Sequence, residues 1–102
     1  MGDRIFSVII LLGLLMLPMF ATAGDPFAGS AIYTEYCTVC HGADGRGEVA
    51  GTPSFRGGRL MMKGDRELVN IINNGKDIMP SFRGMLTDSE MQDIVAYLRT
   101  FL

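Results

Sequence analysis

Reactive side chains are scarce in this chain of 102 residues: it has 1 His, 2 Cys and no Trp. The His and both Cys stand together as Cys37-Thr38-Val39-Cys40-His41. A C-x-x-C-H run reads as an attachment site for a c-type haem. Two thiols three positions apart in a helical turn can each add to one vinyl group of a porphyrin. His41, next in the chain, then offers its imidazole to the iron on one face. A thioredoxin-like redox pair would sit in a βαβ pattern, and none surrounds this run. A zinc site would need two more ligands, and no other Cys or His exists. A structural disulfide would close a loop of only two residues and remove little chain entropy. Cys37 and Cys40 are therefore expected to hold one haem c covalently, with His41 as an axial ligand.

The opposite face of the iron falls to a methionine. Five follow residue 23: Met61, Met62, Met79, Met85 and Met91. Met91 belongs to the apolar stripe of the last helix. Met61 and Met62 come soon after His41, where the chain has barely rounded a haem edge. Met79 lies in the irregular stretch Asn73-Asn74-Gly75-Lys76-Asp77-Ile78-Met79-Pro80, and Pro80 biases it to extended backbone. A thioether on such backbone can reach across a porphyrin face. Met79 is the expected second ligand, and Met85 is the next candidate.

Helices and glycine-rich loops must position these groups, because no convincing strand is present. Asp25 can cap a first helix with Pro26 at its first position. Phe27, Ala31 and Ile32 are expected on its inner face. The stretch from His41 to Thr52 holds four glycines and reads as loop. Asp65 is expected to cap a second helix with Leu68, Ile71 and Ile72 on one face, ending at Asn74-Gly75. Thr87-Asp88-Ser89-Glu90 forms a capping box that opens a last helix, with Met91, Ile94, Val95 and Leu98 on one stripe. The fold class is all-α.

Length allows one compact domain, expected over residues 24–102. The formal charge of −2 argues against nucleic acid as a partner. Residues 1–23 read as a signal peptide. A short polar start precedes the apolar run Ile5 to Leu17, and Ala21-Thr22-Ala23 supplies small residues for cleavage before Gly24. The alternative is an uncleaved anchor in the inner membrane, since no charge occurs from Ile5 through Gly24. Either way the domain is exported, with the periplasm as the expected location. Membrane contact is expected only if residues 1–23 are retained, and nothing implies an oligomer.

Together these features resemble the class I c-type cytochromes, particularly the short single-haem bacterial ones. The resemblance runs from about Pro26 to Leu102. It rests on Gly29 and Tyr33, CTVCH with Gly42, Pro53, GKDIMP and the terminal DIVAYLR. It implies a small cytochrome c fold, three to four helices around one covalently bound haem, with the N- and C-terminal helices crossing. Gly29 and Tyr33 would then face Ile94 and Tyr97. The resemblance also implies that the Pro53 carbonyl accepts the proton on the other nitrogen of His41, fixing the ring. Unlike the mitochondrial member, the chain has no ring of lysines, only Lys63 and Lys76. Without Trp, the haem propionates would need Arg56, Arg59, Arg83 or the Asn73-Asn74 pair.

One internal echo stands out. Pro53-Ser54-Phe55-Arg56-Gly57 recurs as Pro80-Ser81-Phe82-Arg83-Gly84. With unrelated surroundings it reads as a shared turn sequence; the alternative is that each copy walls one haem face.

Function follows from a filled coordination sphere. His and Met together leave no position for oxygen or peroxide, and thioether sulfur favours ferrous iron. The expected role is an electron carrier, not a catalyst, exchanging electrons with redox proteins. Ile78, Phe82 and Met85 are expected to line the apolar docking edge. The alternative is a haem subunit of a larger membrane or periplasmic oxidoreductase.

Overall fold

A computed structural model describes residues 24–101 and Pro18; the signal peptide expected over residues 1–23 otherwise lies outside the described residues. Four helices follow in order: α1 (Pro26–Tyr36), the short α2 (Thr38–His41), α3 (Asp65–Asn74) and α4 (Asp88–Leu98). Single 3-10 turns occupy Arg59–Met62 and Arg99–Phe101. Among the described residues the only β pairing is two isolated bridges. The all-α expectation of three to four helices holds, and the two 3-10 turns are additions to it.

The Asp25 carboxylate accepts from the Phe27 N–H at 2.9 Å and starts α1, with Pro26 at the first position. The inner face of α1 is not the expected one. Gly29 and Tyr33 are buried, whereas Phe27 is 89% exposed and Ala31 is also outside. Only Ile32 packs against the core as expected. The reason is the approach of α4. A Cβ on Gly29 would lie 1.9 Å from the Asp93 carbonyl oxygen and 2.4 Å from its carbon. The two helices touch backbone to backbone, so the helix faces inward along its glycine. Tyr33 packs beside it, edge-on to Tyr97 at 5.2 Å between ring centres. This is the crossing that the resemblance implied.

At α4, Thr87 accepts from the Glu90 N–H at 3.1 Å and Glu90 accepts from the Thr87 N–H at 3.0 Å. The capping box is complete. Met91, Ile94, Val95 and Leu98 are all buried, as the stripe required. Met91 is thus a packing residue.

Asp65 does not cap α3. Gly64 holds the cap position without a side-chain bond, and Asp65 is the first helical residue. Its carboxylate instead meets Arg99, with Oδ1 2.7 Å from Nη2. Arg99 also donates to the carbonyls of Met61 (2.6 Å) and Lys63 (2.7 Å). One guanidinium therefore joins the end of α4 to the entry of α3, a use of the planar fork that lysine could not reproduce. Leu68 and Ile72 are buried as expected; Ile71 is half-buried, and α3 ends at Gly75.

Candidate haem site

Cys37 follows α1 directly, and α2 carries Cys40 and His41. The His41 N–H donates to the Cys37 carbonyl at 2.9 Å, so all three sit on one helical turn. The Cys37 thiol is half-buried and the Cys40 thiol exposed. Burial, with Cys40 as the second cause, pushes the Cys37 thiol up to about 11. A redox dithiol works through a lowered pKa. This shift runs the other way and argues against a thioredoxin-like role.

Burial lowers the basicity of His41 below the ordinary histidine value, and the Pro53 carbonyl partly opposes that effect. The ring is neutral at pH 7, the form that can donate to a metal. Its Nδ1 is buried with no hydrogen-bond partner. The Pro53 carbonyl thus acts on the ring electrostatically but falls short of hydrogen-bond geometry. The residues fit the group: two thiols on one turn, a neutral imidazole beside them and a buried ring nitrogen left unpaired.

Phe55 lies beside His41, where only the alternative reading of the repeated pentapeptide puts it. Its ring stacks on His41 with centres 4.7 Å apart and planes at 24°. Phe101 stacks behind it at 6.0 Å and 18°. The only sequence signal was its place in the repeated pentapeptide.

Tyr33 supplies an unforeseen support. Its hydroxyl donates to the Gly42 carbonyl at 2.6 Å, holding the chain just past His41. Burial, then the nearby Cys37 charge, raises its pKa well above the usual tyrosine range. With the folded value raised, the neutral phenol's contribution is fully present below the unfolded pKa of about 10 and is lost as pH rises beyond it. Tyr33→Phe should cost about 1–3 kcal/mol at pH 7 by leaving the Gly42 carbonyl unpaired. Above pH 10 the variant should lose stability less steeply than the parent. Urea midpoints at neutral and alkaline pH check this; parallel curves would refute it.

Met79 comes from a separate wall. It closes a turn after α3, in which Lys76 and Met79 exchange N–H to carbonyl bonds of 3.1 and 2.8 Å. Asp77 in that turn has φ 53, a left-handed conformation that Asp tolerates better than most residues. Met79 is half-buried and packs against the core. Gly75 makes the turn fit, because a Cβ there would lie 2.6 Å from the Met79 carbonyl oxygen. This wall meets the thiol-bearing one through Phe82, edge-on to Tyr36 at 6.3 Å. Phe82 is buried, so it does not line an outer edge, whereas Ile78 and Met85 are exposed. Of the propionate candidates, Arg56 is engaged with the Asp44 carbonyl and Arg83 with the Asn74 side chain.

Among the described residues no cluster of three or more His, Cys, Asp or Glu could hold a metal ion. A metal here would rely on a few protein ligands and a macrocycle. Crossed terminal helices around a C-x-x-C-H turn define a small class I c-type cytochrome. The chain belongs to the family described as cytochrome c oxidase, cbb3-type, subunit III, whose model matches residues 24–98. It is 32% identical over 100 residues to cytochrome c6 of Synechocystis sp., covering 95% of this chain and 82% of that one. It is 31% identical over 77 residues to the cbb3-type oxidase subunit CcoP of Azospirillum brasilense, covering 69% of this chain and 26% of that protein. The solved c-type cytochrome KustC0563 superposes with a TM-score of 0.67 at 28% identity, covering 72% of this chain and 95% of that one. The protein is a c-type cytochrome that carries one covalently bound haem c and transfers electrons.

Proposed function

We propose that Cys37 and Cys40 hold the haem through thioether bonds, and that His41 and Met79 ligate its iron from opposite faces. The observation that carries this reading is the half-buried His41 imidazole, its Nδ1 enclosed, on the same turn as both thiols. When bound, the haem supplies a one-electron couple; the chain's own work is to hold and tune it. Phe55 restricts the tilt of the imidazole, and the Pro53 carbonyl increases its donor strength. The Lys76–Met79 turn presents the thioether without help from a helix. Two protein ligands leave no open position, which suits electron transfer and not substrate activation.

Residues 1–23 act as a signal peptide in this reading, and the mature chain begins at Gly24 in the periplasm. Among the described residues no helix is long and apolar enough to cross a membrane. Exposed Ile78 and Met85 supply apolar contact for redox proteins. A second reading, a haem subunit of a larger oxidoreductase, draws support from the matched family description and the CcoP likeness. A signal peptide that is retained would favour it.

Intact mass and haem retention test the two halves. Intact mass of the protein purified from cells that attach haem should equal residues 24–102 plus one haem, and the haem should stay on the chain in denaturing gels. Haem extracted by acid and acetone would remove the thioether assignment. A mass that includes residues 1–23, in a membrane fraction, would favour the anchored form.

A further inference from the structure

The repeated pentapeptide folds the same way twice. In each copy the Ser hydroxyl accepts from the Arg N–H, at 3.1 Å for Ser54 and 3.3 Å for Ser81. In each the Phe N–H donates to a carbonyl of an earlier segment: Phe55 to Gly45 at 2.8 Å, Phe82 to Ile72 at 3.1 Å. Both Phe rings are buried. Both Arg side chains reach an acceptor on that same earlier segment, Arg56 the Asp44 carbonyl and Arg83 the Asn74 side-chain oxygen. The closing glycines, Gly57 and Gly84, share a left-handed φ of 62° and 79°. A chance turn would explain the Ser and the Gly. It would not make the Phe and the Arg repeat their outward bonds.

Position completes the parallel. The first copy lays Phe55 on His41. The second begins at Pro80, directly after Met79, and fastens that segment to the end of α3. There Ser81 also donates to the Asn73 carbonyl at 2.7 Å. We propose that the Pro-Ser-Phe-Arg-Gly turn braces each axial ligand once, and that in the second copy the Arg83–Asn74 bond is a latch setting how readily Met79 leaves the iron. The proposal rests on the His41/Met79 reading above.

The bonds from residues 80–83 to Ile72, Asn73 and Asn74 each resist movement of the segment that carries Met79. Of these ties, Arg83–Asn74 joins two exposed side chains, so it can be cut without touching backbone or core. Loss of one net hydrogen bond should raise the open population about fivefold. An outside ligand that binds only the open form then gains apparent affinity by the same factor.

The test is imidazole titration of the ferric holoprotein, followed by its absorption spectrum. Arg83→Ala and Asn74→Ala should each tighten apparent imidazole binding about fivefold. The double variant should do no more than Asn74→Ala alone, since either single variant already removes the Arg83–Asn74 bond and Asn74→Ala also removes the Asn73 bond to the same oxygen. Arg66→Ala, on α3 outside both copies, should match the parent. A merely structural role would lower the urea midpoint of Arg83→Ala and leave imidazole affinity unchanged; that result, or additive effects in the double variant, would overturn the latch. Met79→Ala separates the two failures. If it tightens imidazole binding and Arg83→Ala does not, the latch alone is wrong. If neither does, the ligand reading has failed and the latch with it.

Discussion

Gly29→Ala should cost the folded protein about 4 kcal/mol, at the extreme end for one added methyl group. The new Cβ would lie 1.9 Å from the Asp93 carbonyl oxygen and 2.9 Å from the Ile94 nitrogen. Neither is the tip of a flexible side chain that could rotate aside. Relief requires α1 and α4 to part by about 1.5 Å, since carbon makes good contact only beyond about 3.5 Å. Parting them loosens Tyr33 from Tyr97 and Phe101, ring pairs now 5.2 and 5.6 Å apart. A small domain has about 5–15 kcal/mol in total, so most of the margin would go. Urea unfolding should show a lowered midpoint with an unchanged slope. Ala31→Ser, on the exposed side of the same helix, should change stability by about 0.5 kcal/mol or less. A loss below about 1 kcal/mol for Gly29→Ala would mean that the helices already have room to move.

Met79→Ala should have the largest effect on the haem. The ferric protein should lose its weak long-wavelength sulfur-to-iron band, and the iron should open to cyanide and, when reduced, to carbon monoxide. The reduction potential should fall by about 0.1 V or more, within the 0.8 V span that axial ligands command. The fold should survive, because Met79 is only half-buried and its turn is held by backbone bonds. Met85→Ala is the informative comparison. Met85 is exposed and follows the second pentapeptide, so its loss should leave the band and the potential in place. If Met85→Ala opens the iron and Met79→Ala does not, the ligand has been assigned to the wrong turn.

Local chemistry was the legible part of this sequence. The caps at Asp25 and Thr87 are fixed by bonds within three residues, and the structure forms both. The stripe of α4 was equally plain, because its four apolar residues all face inward. The face of α1 was misread from its own residues because hydrophobicity is blind to a glycine contact. Phe27 and Ala31 look like core, yet the helix turns inward along Gly29, where a missing side chain does the packing. Asp65 looked like a cap because its partner, Arg99, is 34 residues away. The site divides similarly. Cys37, Cys40 and His41 form a contiguous signal, while Phe55 on His41 and Tyr33 on Gly42 depend on folds of the chain that no local pattern encodes.

The crossing of α1 and α4 also bears on when the protein can fold. Its contacts join the two ends of the domain; the Asp25 N–H, for example, bonds to the Asp93 carboxylate 68 positions later. A ribosome therefore releases nearly the whole domain before the central helix pair can assemble. Until then Tyr33 lacks its partners Tyr97 and Phe101, and an isolated helix of 11 residues is marginal in water. A chain that reaches the periplasm before its last helix has docked keeps Cys37 and Cys40 open to whatever attaches the haem.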